Sequence, residues 1–185
     1  MARKVTAGLF MSVDGVAEAP DTFQFDSFDD ELGAGLGAFM SSTTDAVLGR
    51  VGYTEWSGYF PGAGAGDPFA GFINSIRKHV ASSTLEEPLA WDNTTLICGD
   101  LGEYLRELKN NGAEGNIAVM GGVEIVRSAF ATGELDEIQL MIHPVLSGRG
   151  RHLFQDGDPL QRLTLVDSVI TSKGNALLTY TRRQD

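Results

Sequence analysis

Apolar and polar positions alternate over residues 5–13, where Val5, Ala7, Leu9, Met11 and Val13 fall on one side of an extended chain. Asp14-Gly15 follows directly and marks a turn. The period then changes. Leu32, Leu36, Phe39 and Met40 recur at helical spacing, predicting a helix over 29–40 capped by Asp29 or Asp30. A short buried strand, 46–49, ends at Gly49-Arg50, and a helical turn carries the chain to Trp56. Residues 58–66 (GYFPGAGAG) show neither period and read as a loop, or as a lid over a site. Asp67-Pro68 suits the start of a helix over 67–77. Strands are expected over 79–83 and 94–98, then a helix over 101–110 that stops at Asn111-Gly112. Next come a strand at 116–120, a Gly121-Gly122 turn, a helix over 123–132 and a strand at 137–142. Two final strands, 163–170 and 176–181, join at Lys173-Gly174-Asn175.

Strands alternating with helices predict an α/β fold with a largely parallel sheet, to which the last hairpin adds an antiparallel edge. No repeat or linker divides the 185 residues, so one domain is expected. No apolar run approaches the roughly 18 residues of a membrane span, and the start lacks a signal-peptide pattern. A cytoplasmic protein is the expectation. The formal net charge of −11 argues against a nucleic-acid partner. It leaves room for a small anion, because one arginine or one helix N-terminus acts locally. Cys98, the single cysteine, ends an apolar run and reads as a buried, inert thiol. His79, His143 and His152 are scattered, so no metal is expected, and no serine sits in a nucleophile elbow.

Candidate chemistry collects where parallel strands end, the place ligands bind in open α/β sheets. Gly121-Gly122 joins a strand to a helix, so it fits either a phosphate-binding turn or a tight turn that needs positive φ. Arg50 fits a phosphate-holding cation or a plain surface residue. Ser82, Ser83 and Thr84 offer hydroxyls to a ribose or phosphate, or simply end a strand. Asp14 is the best-placed acid for substrate, unless it serves only its turn. Glu18, Asp26, Asp29, Asp30 and Glu31 are further acids, mostly expected in solvent.

In order, the landmarks are Met11-Ser12-Val13-Asp14-Gly15, Leu48-Gly49-Arg50 with Tyr53, Ser82-Ser83-Thr84-Leu85, Met120-Gly121-Gly122 and Leu135-Asp136-Glu137. Pro144-Val145-Leu146-Ser147-Gly148, Gly150 and Leu153-Phe154 follow. Together they resemble the C-terminal reductase domain of the bacterial bifunctional riboflavin-biosynthesis deaminase/reductase and its stand-alone relatives, with their dihydrofolate-reductase-like fold. The resemblance implies an NADPH-dependent oxidoreductase acting on a small heterocycle, as 5-amino-6-(5-phosphoribosylamino)uracil reductase does. It also implies that Gly49 and Arg50 face the cofactor phosphates, with Ser82, Ser83 and Thr84 near the adenosine. Gly121, Gly122, Val123, Glu124 and Ile125 would hold the pyrophosphate, and Asp14 would face nicotinamide and substrate.

Relative to dihydrofolate reductases, Gly52 stands where a phosphate-binding threonine is common and Ser83 where an arginine often grips the 2′-phosphate. These departures leave Arg50 as the basic group and NADH as an alternative cofactor. The zinc signature of the deaminase is absent from the sequence. A dihydrofolate or pterin reductase, with Asp30 or Glu31 as its acid, is a second reading. A non-catalytic nucleotide-binding module is a third. The alternating terminal strands form an edge suited to pairing, and such reductases are often dimers, so a homodimer is expected.

Overall fold

The computed structural model describes residues 3–64 and 66–183. In chain order its strands are β1 (Val5–Ser12), β2 (Thr43–Gly49), β3 (Arg77–Ala81), β4 (Thr94–Ile97), β5 (Asn116–Met120), β6 (Glu137–His143), β7 (Leu163–Ile170) and β8 (Ala176–Arg182). All lie in one sheet ordered β4-β3-β2-β5-β1-β6-β8-β7. Pairings from β4 through β6 are parallel, and β8 runs antiparallel to both β6 and β7. The mixed α/β class predicted from the alternation of periods is the one observed.

Among the described residues six α-helices connect the strands: α1 (Asp21–Gln24), α2 (Asp30–Ser42), α3 (Arg50–Tyr59), α4 (Pro68–Ser75), α5 (Leu101–Lys109) and α6 (Val123–Thr132). The pleat of β1 sorts its side chains by parity. Val5, Ala7, Leu9 and Met11 join Leu105 and Leu108 of α5 and Val126 and Ala129 of α6 in one core cluster. On the other face Leu32 of α2 packs with Met141 and Leu177, while Leu48 and Ala118 meet Tyr53, Ile73 and Trp91. Two helical layers thus cover the parallel strands and fix where their ends emerge.

Several boundaries differ from the sequence reading. Strand β1 stops at Ser12, and Val13 is exposed. Helix α4 stops at Ser75 because Arg77 opens β3, where its guanidinium bonds both carboxylate oxygens of Asp45 (2.8 and 2.9 Å). Ser82 and Ser83 lie beyond the end of β3. The first five residues of the 58–66 segment are helical rather than loop, and Ala65 lies outside the described residues. Gly58 and Tyr59 finish α3, and Phe60–Gly62 forms a 3-10 turn. Phe60 holds that turn in place through ring contacts with Trp56, Phe69 and Trp91. Cys98 is exposed rather than buried, since it follows the last residue of β4, the edge strand.

At the N-terminal edge of the sheet, Asp45 is fully buried and shared among two arginines and a histidine. Arg3 pairs with it, Arg77 grips it with two bonds, and His79 Nε2 lies 3.0 Å away. His79 Nδ1 in turn lies 2.8 Å from the Tyr104 hydroxyl. This cluster ties the segment before β1 to β2 and β3, on the edge opposite the strand ends discussed next.

Candidate functional site at the C-terminal edge of the sheet

Because β3, β2, β5 and β1 are consecutive and parallel, their C-terminal ends set Ser82, Gly49, Gly121 and Asp14 in a row along one edge. Helix α3 leaves β2 through Gly49, and α6 leaves the adjacent β5 through Gly122. Gly121 and Gly122 take φ of +79° and +151°, which explains why both are glycine. The two helix starts interlock backbone to backbone. A Cβ at Gly52 would lie 1.8 Å from Gly121 O, and one at Gly49 would lie 3.2 Å from Ile125 Cβ. Gly52 therefore reflects close approach of α3 to the turn, which leaves no space for a threonine.

Neither α3 nor α6 has a side-chain cap, whereas α2, α4 and α5 are capped by Asp29, Asp67 and Asp100. The first N–H groups of a helix lack acceptors within it, and the macrodipole adds positive potential there. Two such ends emerging from adjacent strands set two groups of helix-start N–H donors side by side, a setting that favours an anion. Val123 and Ile125 are buried, so they can offer only backbone N–H to a ligand. The Glu124 carboxylate turns to Arg127 (3.7 Å) and Arg151 (3.9 Å), so this residue too can serve a phosphate only through its backbone. Arg50 is exposed at the first position of α3, with no side-chain hydrogen bond or ion pair among the described residues. Ser82 Oγ accepts from the amides of Thr84 (3.1 Å) and Leu85 (3.0 Å), while Ser83 and Thr84 are exposed.

Asp14 has a different part from that of an acid. Its carboxylate accepts from Ser12 Oγ (2.6 Å), Ser147 N (2.9 Å) and Gly148 N (2.8 Å). The Ser12 hydroxyl, then the Gly148 and Ser147 amides, hold its pKa down at about 2. A carboxylate so placed carries no proton to donate near neutrality. It fastens the loop after β1 to the loop after β6. That seam continues through Val13 N to Val145 O, Ala17 N to Arg151 O, and Glu18 accepting from Arg151 Nε (2.7 Å).

Sequence reasoning missed a buried polar group beside this edge. His143, fully buried at the end of β6, lies 2.7 Å from Ser27 Oγ and 3.2 Å from Gln24 Nε2. Burial is the main cause that lowers its pKa. No local pattern joins residues more than a hundred positions apart, so only the fold reveals it. The acids proposed for a pterin reductase turn elsewhere. Asp29 caps α2 at Leu32 N, Glu31 accepts from Ser172 Oγ (3.1 Å), and Asp30 is exposed.

Comparison with known proteins follows the same outline. The chain is 26% identical over 183 residues to YyaP, an uncharacterized protein of Bacillus subtilis (strain 168), covering 96% of this chain and 94% of that one. A Shewanella sp. PV-4 protein named for riboflavin biosynthesis superimposes with a TM-score of 0.73 at 19% identity, over 100% of both chains. The dihydrofolate reductase of Enterococcus faecalis, solved with NADP(H), gives 0.60 at 16% identity over 98% of this chain and 97% of that one. The fold is therefore dihydrofolate-reductase-like. The sequence profile of the RibD C-terminal domain matches residues 3–177, nearly the whole chain, and the protein belongs to that family.

Proposed function

We propose that the protein is an NADPH-dependent reductase of the riboflavin-pathway type, acting on 5-amino-6-(5-phosphoribosylamino)uracil or a closely similar heterocycle. The observation that carries this reading is the pair of uncapped helix starts interlocked at Gly49–Gly52 and Gly121–Gly122, within a chain of this family. The Enterococcus relative, solved with NADP(H), supports a nicotinamide dinucleotide as the ligand. Bound NADPH supplies the hydride, and the protein contributes orientation and electrostatics. Backbone N–H groups of residues 50–52 and 122–125 would bind the diphosphate. Arg50 adds a charge-assisted contact, and Ser83 and Thr84 offer hydroxyls on the adenosine side. Asp14 keeps the β1 and β6 loops closed together at the nicotinamide end.

Ser82 already spends its oxygen on local amides, and Ser83 brings no charge, so NADH is the second cofactor to test. We also infer a homodimer formed through β7. That edge strand leaves Leu165, Val166, Val169 and Ile170 exposed, which two copies would cover. The assay is loss of NADPH absorbance on adding 5-amino-6-(5-phosphoribosylamino)uracil. Turnover supports the reading. Tight NADPH binding without turnover of this or related pyrimidines contradicts the assigned substrate.

A further inference from the structure

A recess lies on the broad face of the sheet, beneath helix α2. Thr6, Asn116 and Glu137, near the starts of β1, β5 and β6, line it, so it sits toward the end of the sheet opposite Gly49 and Gly121. The α2 positions that face it are Gly35, Ala38, Phe39 and Ser42, at i, i+3, i+4 and i+7. Gly35 lets the helix ride close to β8, since a Cβ there would lie 2.4 Å from Leu177 Cδ2. Beyond that contact the small side chains leave a cavity of about 270 Å³. Sites for drug-sized ligands run from roughly 300 to 1,000 Å³, so this one suits a smaller molecule. Its lining holds two carboxylates, Glu137 and Asp167, and no cation among the described residues.

Strand register builds the polar floor. Gln139 of β6 is paired with Thr179 of β8, and Thr179 with Asp167 of β7, so the three side chains form a row on the α2 face. Asp167 belongs to that row because of a bulge. Leu165 is paired with Tyr180 and Asp167 with Thr179, which makes Val166 the extra residue. In an unbroken ladder Val166 would oppose Thr179, and Asp167 would turn to the other face. The irregularity thus puts a carboxylate at the cavity where the regular strand would put a valine. Gln139 is a second, independent sign. Its Oε1 is buried and has no hydrogen bond among the described residues. An unpaired buried acceptor costs about 1–3 kcal/mol, which an N–H donor from a bound molecule would offset. Asp167 Oδ1 accepts only from its neighbour Ser168 N (2.9 Å). Glu137 is already paired with Lys4, so Asp167 carries the unbalanced charge.

We propose that this cavity binds a small organic monocation, whose N–H groups donate to Asp167 and Gln139 Oε1 while its apolar body rests against Phe39, Val169 and Leu177. The site is separate from the C-terminal edge of the sheet, and the inference does not rest on the reductase reading. The probe is benzamidine, titrated into the ¹⁵N-labelled full chain, because its paired N–H groups meet a carboxylate as a guanidinium does. The expected result is saturable shifts of the Gln139 side-chain amide and of backbone amides 167–169 and 177–179, with a Kd of about millimolar or tighter. Amides around Gly49 and Gly121 should stay unmoved. Benzamide, neutral and of the same outline, should bind about tenfold more weakly. Asp167 and Ala38 are exposed, so variants at both should fold. Asp167→Asn should weaken benzamidine about tenfold, and Ala38→Phe, which fills the cavity, should abolish its binding. Equal binding of the two probes, affinity unmoved by both substitutions, or no saturable shift at about 20 mM would overturn the proposal. Binding that appears only after Val166→Lys and Ile170→Lys have removed β7 pairing would assign the groove to a second copy of the chain, and would overturn it too.

Discussion

A methyl group at position 52 would sit 1.8 Å from the carbonyl oxygen of Gly121, so Gly52→Ala must push α3 away from the turn between β5 and α6. We expect a loss of stability of about 1–3 kcal/mol in urea melts and NADPH affinity lower by about tenfold or more. At His143 the expectation concerns pH. Burial lowers its pKa from the ordinary 6.5, so the folded state binds fewer protons than the unfolded one. The stability linked to this residue is fully present above 6.5 and is lost as pH falls from there through the lower folded pKa. Urea melts at about pH 7.5 and about pH 5.5 should show that decline, and His143→Gln should reduce it. Gly121-Gly122 was legible in the sequence because a glycine pair between strand and helix has few explanations. The role of Asp14 was not legible, because the Ser147 and Gly148 amides that hold its carboxylate lie 133 and 134 residues away.

Whole elements were easiest to read where period and punctuation agreed. The β5–α6 unit emerged with its predicted bounds, since Asn116 opens an apolar run, two glycines turn it and Gly133 ends the helix in the left-handed conformation. The 58–66 segment misled because its glycines hide a helix end, and Phe60 is held by rings distant in sequence. The short helix α1 gave no signal at four residues long. Strand β7 was foreseen, and its exposure gives the prediction at this scale. Replacing Val166 and Ile170 with lysine should turn a dimer into a monomer in sedimentation experiments, with the melting temperature of the monomer unit little changed, because both side chains already face solvent.

Across the whole molecule, one sheet separates two kinds of polar construction. At its N-terminal edge, Asp45 is buried among Arg3, Arg77 and His79, a cluster that joins strands and faces away from the C-terminal edge. Asp45→Asn leaves the buried Arg3 guanidinium without its counter-charge, and we expect a cost of about 3–5 kcal/mol in denaturant melts. NADPH affinity of the folded fraction should stay unchanged. At the C-terminal edge, two helix starts have no side-chain caps, and the Arg50 guanidinium has no hydrogen bond or ion pair among the described residues. The sequence showed that the glycines fall at strand ends. Only the strand order, with β5 inserted between β2 and β1, shows that they converge. The most direct test is an equilibrium titration of wild type and Arg50→Ala with NADPH and NADH, followed by quenching of Trp56 and Trp91 fluorescence. The account predicts tight NADPH binding that weakens about tenfold in Arg50→Ala without a change in melting temperature. No binding of either nucleotide at about millimolar concentration, an affinity too weak for a cofactor site, would contradict it.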